Sequence, residues 1–388
     1  MLPNLHNQLA RFAHLLQTSL FPAIEEEAGP LSELGKRLIT VLSMLPFQRF
    51  IPISQGWNGR PAKDRLALAS AFVAKAVYSF PTTRVLRERL ENDPQLCRIC
   101  GWESARQLPH ESTFSRAFAE FAAMELPQFV HEALIQTTQS SRLVGHIARD
   151  STAIEVRERF PETAQQRRAK RAQKLAAKKN KKKRKPGPRK DGPVAAKELT
   201  RLQRQRKMSL AQMLAELPRH CSIGVKTSSK GYQQHWRGYK LHLDVADGQI
   251  PISAVLTAAS LHDSQVAIPL ATMTNQRTTS LYDLMDAAYD AGEIHAHSRA
   301  LGHVPIIDPA QRVGPRRSII GPFKQPRQFS WAEQERYKER TMSERINARL
   351  KDEFGGRFIR VRGHQKVMAH LMFGLLALTV DQLMRLRS

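Results

Sequence analysis

Glu344 is an acidic residue in a strongly basic stretch near the C-terminal end of the chain. The stretch YKERTMSERINARLK covers residues 337–351 and places Glu344 among five lysines and arginines. Four polar residues of this stretch share one helical face within about 60° of arc, because they lie at offsets of 0, 3, 7 and 14 at 100° per residue: Tyr337, Arg340, Glu344 and Lys351. This polar stripe differs from the buried face of an amphipathic helix.

The stripe permits two interpretations. An acid between a tyrosine, an arginine and a lysine fits a metal ligand flanked by groups that bind phosphate. The alternative is a solvated helix face held by ion pairs such as Arg340 with Glu344, which are four residues apart. Spacing alone does not separate these two interpretations.

Two aspartates end or follow apolar, strand-like runs elsewhere in the chain. Asp150 lies in or just past VGHIARDSTAIEV, residues 144–156, and Asp286 ends the run LYDLMD. Side chains at strand ends in α/β sheets face a shared crevice where ligands bind. Asp290, in the turn beyond, is a rival to Asp286, and Asp263 in LHDS is interpreted as a helix cap.

Carboxylates gathered in such a crevice suit metal-dependent chemistry on phosphodiesters. Two divalent cations about 3.5–4 Å apart activate a water or hydroxyl and stabilise the leaving oxygen. Mg²⁺ prefers oxygen ligands and keeps several waters, so a few carboxylates suffice. Bound cations also relieve the repulsion between the acids. Convergence of Asp150, Asp286 and Glu344 requires the fold, and the sequence does not establish it.

The elements before residue 140 are predicted to be helices. Apolar residues recur at three- and four-residue spacings in QLARFAHLLQTSLF, LSELGKRLITVLSML, DRLALASAFVAKAVYSF and HESTFSRAFAEFAAM. Helices in series with basic polar faces form either a helix-turn-helix-type DNA reader or a structural bundle. Periodicity does not separate these two, and we slightly favour the DNA reader.

The second half of the chain is predicted to be an α/β region with a mixed sheet. WRGYKLHLDVAD and QIPISAVLTAA, joined by Asp247 and Gly248, predict a hairpin. LHDSQVAIPLATM predicts a helix, TSLYDLMDAAYDAGEIHAHSRALG a strand running into a helix, and VPIIDP a short strand. Residues from about 331 to 352 and HQKVMAHLMFGLLALTVDQLMRL predict two further helices.

A basic segment follows the first predicted strand. Residues 161–210 contain 19 Lys plus Arg and 3 Asp plus Glu, a net +16 of the chain's +26. Its centre, KKNKKKRKPGPRKDGP, has no apolar face, which predicts a mobile, solvated loop. We predict a flexible insertion over 157–215 that also binds DNA phosphates without sequence preference, notably through Lys181, Lys182, Lys183 and Arg184.

The composition narrows the class of protein. A net charge of +26 over 388 residues indicates a polyanionic partner. No apolar run reaches the ~18 residues of a membrane span, and the N-terminus does not predict a secretion signal. Three cysteines argue against a disulfide framework, and Cys97 and Cys100 lack the further ligands of a zinc site. We expect a soluble cytoplasmic protein that meets nucleic acid.

These residues resemble the DDE transposases of bacterial insertion sequences. The spacing Tyr337-x₂-Arg340-x₃-Glu344-x₆-Lys351 matches the Tyr-Arg-Glu-Lys signature of the insertion-sequence-4-like subgroup. ARDSTAI and LMDAAYDAGEI resemble the strands that carry the family's two aspartates, and GYKLHLDVADGQIPISAVLTAASLHDS resembles the intervening elements. The helical N-terminal domain of these proteins is resembled by two stretches, RLALASAFVAKAVYSFPTTRVLRERLENDPQLCRICGW and then PHESTFSRAF. The resemblance covers most of residues 60–380.

The resemblance implies a ribonuclease-H-like catalytic domain over 141–388 and a helical DNA-binding or assembly domain over 1–140. It implies a triad of Asp150, Asp286 and Glu344 that holds two Mg²⁺ ions, with Mn²⁺ as a substitute. It further implies cleavage at transposon ends followed by strand transfer into target DNA. The expected assembly is a homodimer on paired terminal inverted repeats. It is expected in the cytoplasm, where its DNA associates it with the nucleoid. Tyr337, Arg340 and Lys351 would contact the transposon end.

One departure from the family pattern concerns spacing. Only 58 positions separate Asp286 from Glu344, so the large β-rich insertion of some relatives is absent or minimal here. Two other functions remain open. One is a catalytically inactive DNA-binding repressor derived from a transposase, and the other is a ribonuclease-H-like nuclease for branched DNA or hybrids.

Overall fold

The helical prediction for the first part of the chain is confirmed. A computed structural model describes residues 5–51, 63–158, 164–180, 199–227, 232–309 and 329–386. The α-helices of the first part are α1 (Leu5–Leu15), α2 (Phe21–Ala28), α3 (Glu33–Met44), α4 (Arg65–Val77), α5 (Thr83–Asn92), α6 (Pro94–Ile99), α7 (Glu111–Ala123) and α8 (Leu126–Gln139). A π-helical turn, Leu16–Leu20, joins α1 to α2. Cys97 and Cys100 are buried, as expected of small apolar residues.

A six-stranded mixed sheet forms the centre of the second part, as predicted. Its strands are β1 (Leu143–Glu155), β2 (Ser222–Thr227), β3 (Gln233–Ala246), β4 (Ile250–Ala258), β5 (Thr279–Met285) and β6 (Val304–Ile307). The order is β2-β3-β1-β5-β6, and β4 also pairs with β3. β1 runs antiparallel to β3 and parallel to β5, and β5 runs parallel to β6. The predicted hairpin joins β3 to β4, with Gly248 at a φ of 82° in the turn.

The second part also contains α-helices. They are α9 (Ala164–Asn180), α10 (Arg201–Gln205), α11 (Leu210–Ala215), α12 (Ser264–Asn275), α13 (Gly292–Ala300), α14 (Trp331–Tyr337), α15 (Thr341–Asp352) and α16 (His364–Arg385). The single helix predicted over about 331–352 is interrupted by a 3₁₀ turn at Lys338–Arg340. Because a 3₁₀ turn has three residues per turn, the predicted stripe does not continue straight from Tyr337 to Lys351.

Helix α16 joins the two parts through one hydrophobic core. It packs against α3, α4, α7 and α8 and also against β4 and α15. The Phe373 ring of α16 lies 5.7 Å from that of Phe72 in α4, centroid to centroid. Within the described residues α16 is long and apolar enough to cross a membrane, but 83% of its most apolar window is buried inside the protein. The predicted boundary at residue 140 lies between α8 and β1, and the division into two domains stays a prediction.

The segment predicted as a flexible insertion contains packed structure at its C-terminal end. Leu202 of α10 and Met213 of α11 are buried in one cluster with Ile268 of α12 and Ile294 of α13. Apolar side chains outside the lysine-rich centre explain this packing, since they supply the buried area that the centre lacks. Residues 181–198, and with them Lys181, Lys182, Lys183 and Arg184, lie outside the described residues.

A buried ion pair fixes β1 in the sheet next to Asp150. The Arg149 guanidinium donates to both carboxylate oxygens of Asp244 on β3, at 2.8 and 2.7 Å. Thr274 donates to the same carboxylate at 2.7 Å, and Asp283 of β5 lies 4.0 Å from the guanidinium. Arg149 and Asp244 are fully buried. Together with Asp283 they form an electrostatic contact between β1, β3 and β5 that is shielded from solvent.

We predict that Arg149→Met lowers the free energy of unfolding by about 3–5 kcal/mol, because it leaves buried carboxylates without a counter-charge. Urea unfolding followed by circular dichroism measures this change. The double variant Arg149→Met/Asp244→Leu is expected to recover a large part of the loss, since removing both charges of a buried pair is often nearly neutral. A single variant as stable as the wild type would contradict a structural role for the pair.

Candidate active site

Asp150 and Asp286 lie side by side at the parallel edge between β1 and β5. The strand register pairs Arg149 with Met285, so the two aspartates are the next residues on neighbouring strands. Asp286 directly follows β5 and caps a 3₁₀ turn, Ala287–Tyr289, where its carboxylate accepts the Ala288 N–H at 2.9 Å. Neighbouring strands lie about 4.8 Å apart, which brings the two carboxylates into electrostatic reach.

The pKa values of both aspartates reflect this arrangement. The pKa of Asp150 is raised to about 6, mainly by burial and also by the negative charges of Asp286 and Asp263. Burial also raises the pKa of Asp286, and Asp263 adds to that shift. The Arg340 guanidinium opposes these effects and lowers the pKa of both aspartates. The site is therefore a group of acids that repel one another and attract a cation.

Asn347 of α15 is the closest side-chain partner of Asp150 from a helix. Its Nδ2 donates to Asp150 Oδ2 at 3.3 Å, and its own Oδ1 is buried with no hydrogen-bond partner among the described residues. An amide oxygen is a hard ligand of the kind that Mg²⁺ and Ca²⁺ accept. Sequence reasoning missed Asn347. The available signal was its position three residues after Glu344, on the same side of the helix.

Glu344 is placed at the edge of the site, in the ion pair that the alternative interpretation describes. Its carboxylate accepts from Arg340 at 2.8 Å, and its side chain is 53% exposed. Arg340 also lies over the Tyr337 ring, 5.7 Å from the centroid. Among the described residues no three His, Cys, Asp or Glu side chains are close enough together to hold a metal ion. The structure thus brings Asp150 and Asp286 together and separates Glu344 from them by Arg340.

The remaining members of the stripe lie at two different places. Burial raises the pKa of Tyr337 to about 12, with Asp308 and Asp286 contributing, so Tyr337 lies on the Asp286 side of the site. Lys351 lies two turns of α15 beyond Glu344, since each turn takes 3.6 residues. Burial lowers the pKa of Lys351, and the nearby cations Arg357 and Lys226 lower it further. Tyr337 therefore lies near the aspartates, whereas Lys351 lies at a basic surface beside β2.

The prediction that the Asp263 side chain caps a helix is wrong, although its position in the chain is that of an N-cap. Asp263 occupies the N-cap position of α12, but its side chain makes no capping hydrogen bond. It instead accepts from Lys240 Nζ at 2.8 Å. Burial raises the pKa of Asp263, but His242 and Lys240 lower it, and the net shift is downward. Asp263 therefore remains ionised beside the two aspartates and strengthens the negative field of the site.

Asp290, the rival of Asp286, belongs to a different contact. Its Oδ1 lies 3.0 Å from His295 Nε2 on α13. The groups that shift the pKa of Asp150 most include Asp286, Arg340 and Asp263. This geometry favours Asp286 as the functional partner of Asp150.

The donor set at this edge fits a hard divalent cation in part. The carboxylates of Asp150 and Asp286 and the unpaired Asn347 oxygen offer oxygen ligands from three separate elements. To join this set, Glu344 would have to exchange the Arg340 guanidinium for a metal ion. The fit is therefore good for two of the three predicted ligands.

Comparison with known protein families identifies matches over both parts of the chain. The family described as Transposase DDE domain matches residues 145–380, which include every member of the candidate site. The family described as Transposase domain (DUF772) matches residues 26–120, which span α3 to α7. No curated protein and no solved structure matches the chain.

Proposed function

The chain belongs to the transposase family that carries the DDE domain, and from that premise we propose that it cuts DNA at transposon ends and joins the freed strand to target DNA. The mixed sheet is consistent with the ribonuclease-H-like fold. We also propose membership of the subgroup with the Tyr-Arg-Glu-Lys signature, with the basic insertion after β1 as a feature of this chain. The observation that carries the proposal is the pair Asp150 and Asp286, held side by side on parallel strands.

The acids are proposed to act as ligands. Asp150, Asp286 and Glu344 are the proposed metal-binding residues, and the Asn347 oxygen adds a neutral donor. When bound by these residues, Mg²⁺ (or Mn²⁺ in its place) supplies an activated water or hydroxyl and stabilises the leaving oxygen of the phosphodiester. Burial of Asp150 and the charge of Asp263 keep the ligand set strongly attractive for a cation.

Basic and aromatic residues around the acids are proposed to bind DNA. Arg340 offers a planar guanidinium that binds a phosphate in a bidentate manner, and it releases Glu344 when it does so. Tyr337, which contacts Arg340, helps to orient it. Lys351 and its basic neighbours contact the backbone further along the duplex. The lysine-rich segment with Lys181, Lys182, Lys183 and Arg184 adds contacts that do not depend on sequence.

The proposed partners are terminal inverted repeats and target DNA, bound by a homodimer because two ends are processed. The proposed site of action is the cytoplasm, with nucleoid association through the DNA. A second candidate function is a DNA-binding repressor without nuclease activity. A repressor would keep the Arg340–Glu344 ion pair in the presence of Mg²⁺, because no bound metal would compete for the carboxylate.

Cleavage of a labelled duplex carrying the DNA that flanks this gene separates the two candidates. We expect the wild-type protein to cut at an inverted repeat with Mg²⁺ or Mn²⁺ and not with EDTA. Binding that is independent of metal and is not followed by nicking would instead identify the repressor. Faster cutting of branched DNA or hybrids than of element ends would identify the nuclease.

A further inference from the structure

A lysine lies in the last turn of the most buried helix of the N-terminal part. Every residue of α4 from Ala67 to Val77 is buried, and Lys75 is 9% exposed. Among the described residues no carboxylate pairs with its ammonium group. Burial alone lowers the pKa of Lys75 to about 8. A charged group held in this way is costly unless it has a partner, so the surroundings of Lys75 call for an anion.

Lys75 lines a cavity of about 280 Å³ between α4, α5, α7 and the chain before α16. Phe72, Phe118 and Phe373 form an apolar wall, with ring centroids 4.9 to 6.2 Å apart. His370 lies near enough for the Lys75 charge to lower its pKa, and its Nε2 is 3.1 Å from the Gly355 carbonyl oxygen. The cavity thus combines aromatic surface with a buried cation.

Two further features add positive potential to this cavity. Helix α5, which has ten residues, begins at the cavity wall, where its N-cap Thr82 and first residue Thr83 line the space. The N-terminus of a helix carries a partial positive charge that favours anions nearby, although the Thr82 hydroxyl already accepts the Val85 N–H here. Arg360 lines the opening and is exposed. The exposed carboxylate of Glu111 is the acid at the same opening.

We propose that this cavity binds a nucleotide phosphomonoester, with the phosphate at Lys75 and the base against the phenylalanine wall. A phosphomonoester carries a charge of about −1.5 to −2 at neutral pH, which matches the two cations and the helix N-terminus. The volume is close to the lower limit of small-molecule pockets, about 300 Å³, and suits one nucleotide unit. The ligand is either a free nucleotide or the 5′-phosphorylated end of a DNA strand, and both present the same chemistry.

Isothermal titration of the full chain with defined probes tests this proposal without any cleavage step. The probes are dAMP, deoxyadenosine, inorganic phosphate, and a short oligonucleotide with either a 5′-phosphate or a 5′-hydroxyl. We expect dAMP to bind more tightly than deoxyadenosine and phosphate. Tighter binding of the 5′-phosphorylated than of the 5′-hydroxyl oligonucleotide assigns the site to a DNA end, and binding of dAMP without such a difference assigns it to a free nucleotide.

The variant Lys75→Met removes the charge and keeps an unbranched side chain of similar length. We expect it to weaken dAMP binding at least about tenfold, as loss of a hydrogen bond to a charged group predicts. Its melting temperature should equal or exceed that of the wild type, because a buried charge is replaced by an apolar group. Lys366→Met, an exposed lysine of α16, is the matched control and should bind normally.

A second variant keeps the test decisive if Lys75→Met does not fold. Arg360→Gln changes an exposed side chain at the opening and should weaken dAMP binding by a smaller factor. No binding of dAMP to the wild type, or equal binding of dAMP by wild type and Lys75→Met, would overturn the proposal. Neither result bears on the cleavage activity, so this inference and the proposed function fail independently.

Discussion

Replacing Asp150 or Asp286 by asparagine is expected to reduce metal-dependent cleavage by at least about 10³-fold. Metal ions that stabilise the charge of a phosphodiester transition state contribute several kcal/mol, and each 1.36 kcal/mol is a factor of ten in rate. Glu344→Gln should cause a loss of similar size if it completes the ligand set. The measurement is single-turnover cleavage of a labelled transposon end with Mg²⁺.

The controls for these variants are neighbours of the same type. Asp290→Asn changes the aspartate that contacts His295 and should retain cleavage. Glu339→Gln changes an exposed acid in the 3₁₀ turn before α15 and should also retain it. Normal cleavage by Asp286→Asn together with its loss in Asp290→Asn would exchange the roles of these two residues. Normal cleavage by Glu344→Gln would leave that residue as the ion-pair partner of Arg340.

The same substitution of Asp150 has an opposite effect on stability. The pKa of about 6 in the folded protein lies above the ordinary value of 3.8, so the folded state binds this proton more tightly than the unfolded state. The free energy of unfolding therefore falls as the pH rises from about 4 to 6, and the full cost is present above pH 6. Asp150→Asn should raise the free energy of unfolding by about 1–3 kcal/mol at pH 8 in EDTA, since one pKa unit is worth about 1.36 kcal/mol.

Urea unfolding of the two proteins at pH 8 and near pH 4 measures this gain, which should shrink at the lower pH. Mg²⁺ should raise the melting temperature of the wild type and have little effect on Asp150→Asn, because binding to the folded state alone stabilises it. Thus a single variant is expected to lose activity and gain stability. A variant that is less stable than the wild type in EDTA would contradict the repulsion between the acids.

Removal of the basic segment is expected to have the second-largest effect. Residues 165–195 contain 14 Lys plus Arg and a single acidic residue. Each phosphate neutralised adds about 0.9 to the slope of log affinity against log salt. If about half of these cations contact DNA, a Gly/Ser segment of equal length in place of 165–195 should lower the slope by about 6. Affinity near 50 mM salt should then fall by several orders of magnitude.

Fluorescence anisotropy with a labelled duplex over a range of salt concentrations measures both quantities. An equal-length replacement keeps the connection between β1 and α10, so a loss of binding reports charge rather than a broken chain. Helix α9 carries exposed basic side chains, including Arg168, Lys170 and Lys174. An unchanged slope would show that the segment is only a linker, whatever the change in affinity.

Local sequence was sufficient for most of the elements and for the placement of two of the proposed ligands on them. Alternating and β-branched residues placed Asp150 on β1, and the apolar run before Asp286 placed that residue at the end of β5. Thr82 caps α5 by accepting the Val85 N–H at 3.1 Å, and a threonine directly before a helical pattern is a common N-cap. These features depend on residues within one turn or one strand, so their signals are contained in short stretches.

Contacts between distant elements were decided by the tertiary structure alone. Asn347 meets Asp150 across 197 positions of sequence, and Asp263 turns from its helix to Lys240 on β3. The burial of Lys75 likewise follows from the packing of α16 over α4. Each of these depends on which faces pack together, and periodicity within one element carries no information about its partner. The sequence by itself thus determined the helices, the strands and the types of chemistry present, whereas packing determined which acids share a site and which one, Glu344, pairs with an arginine.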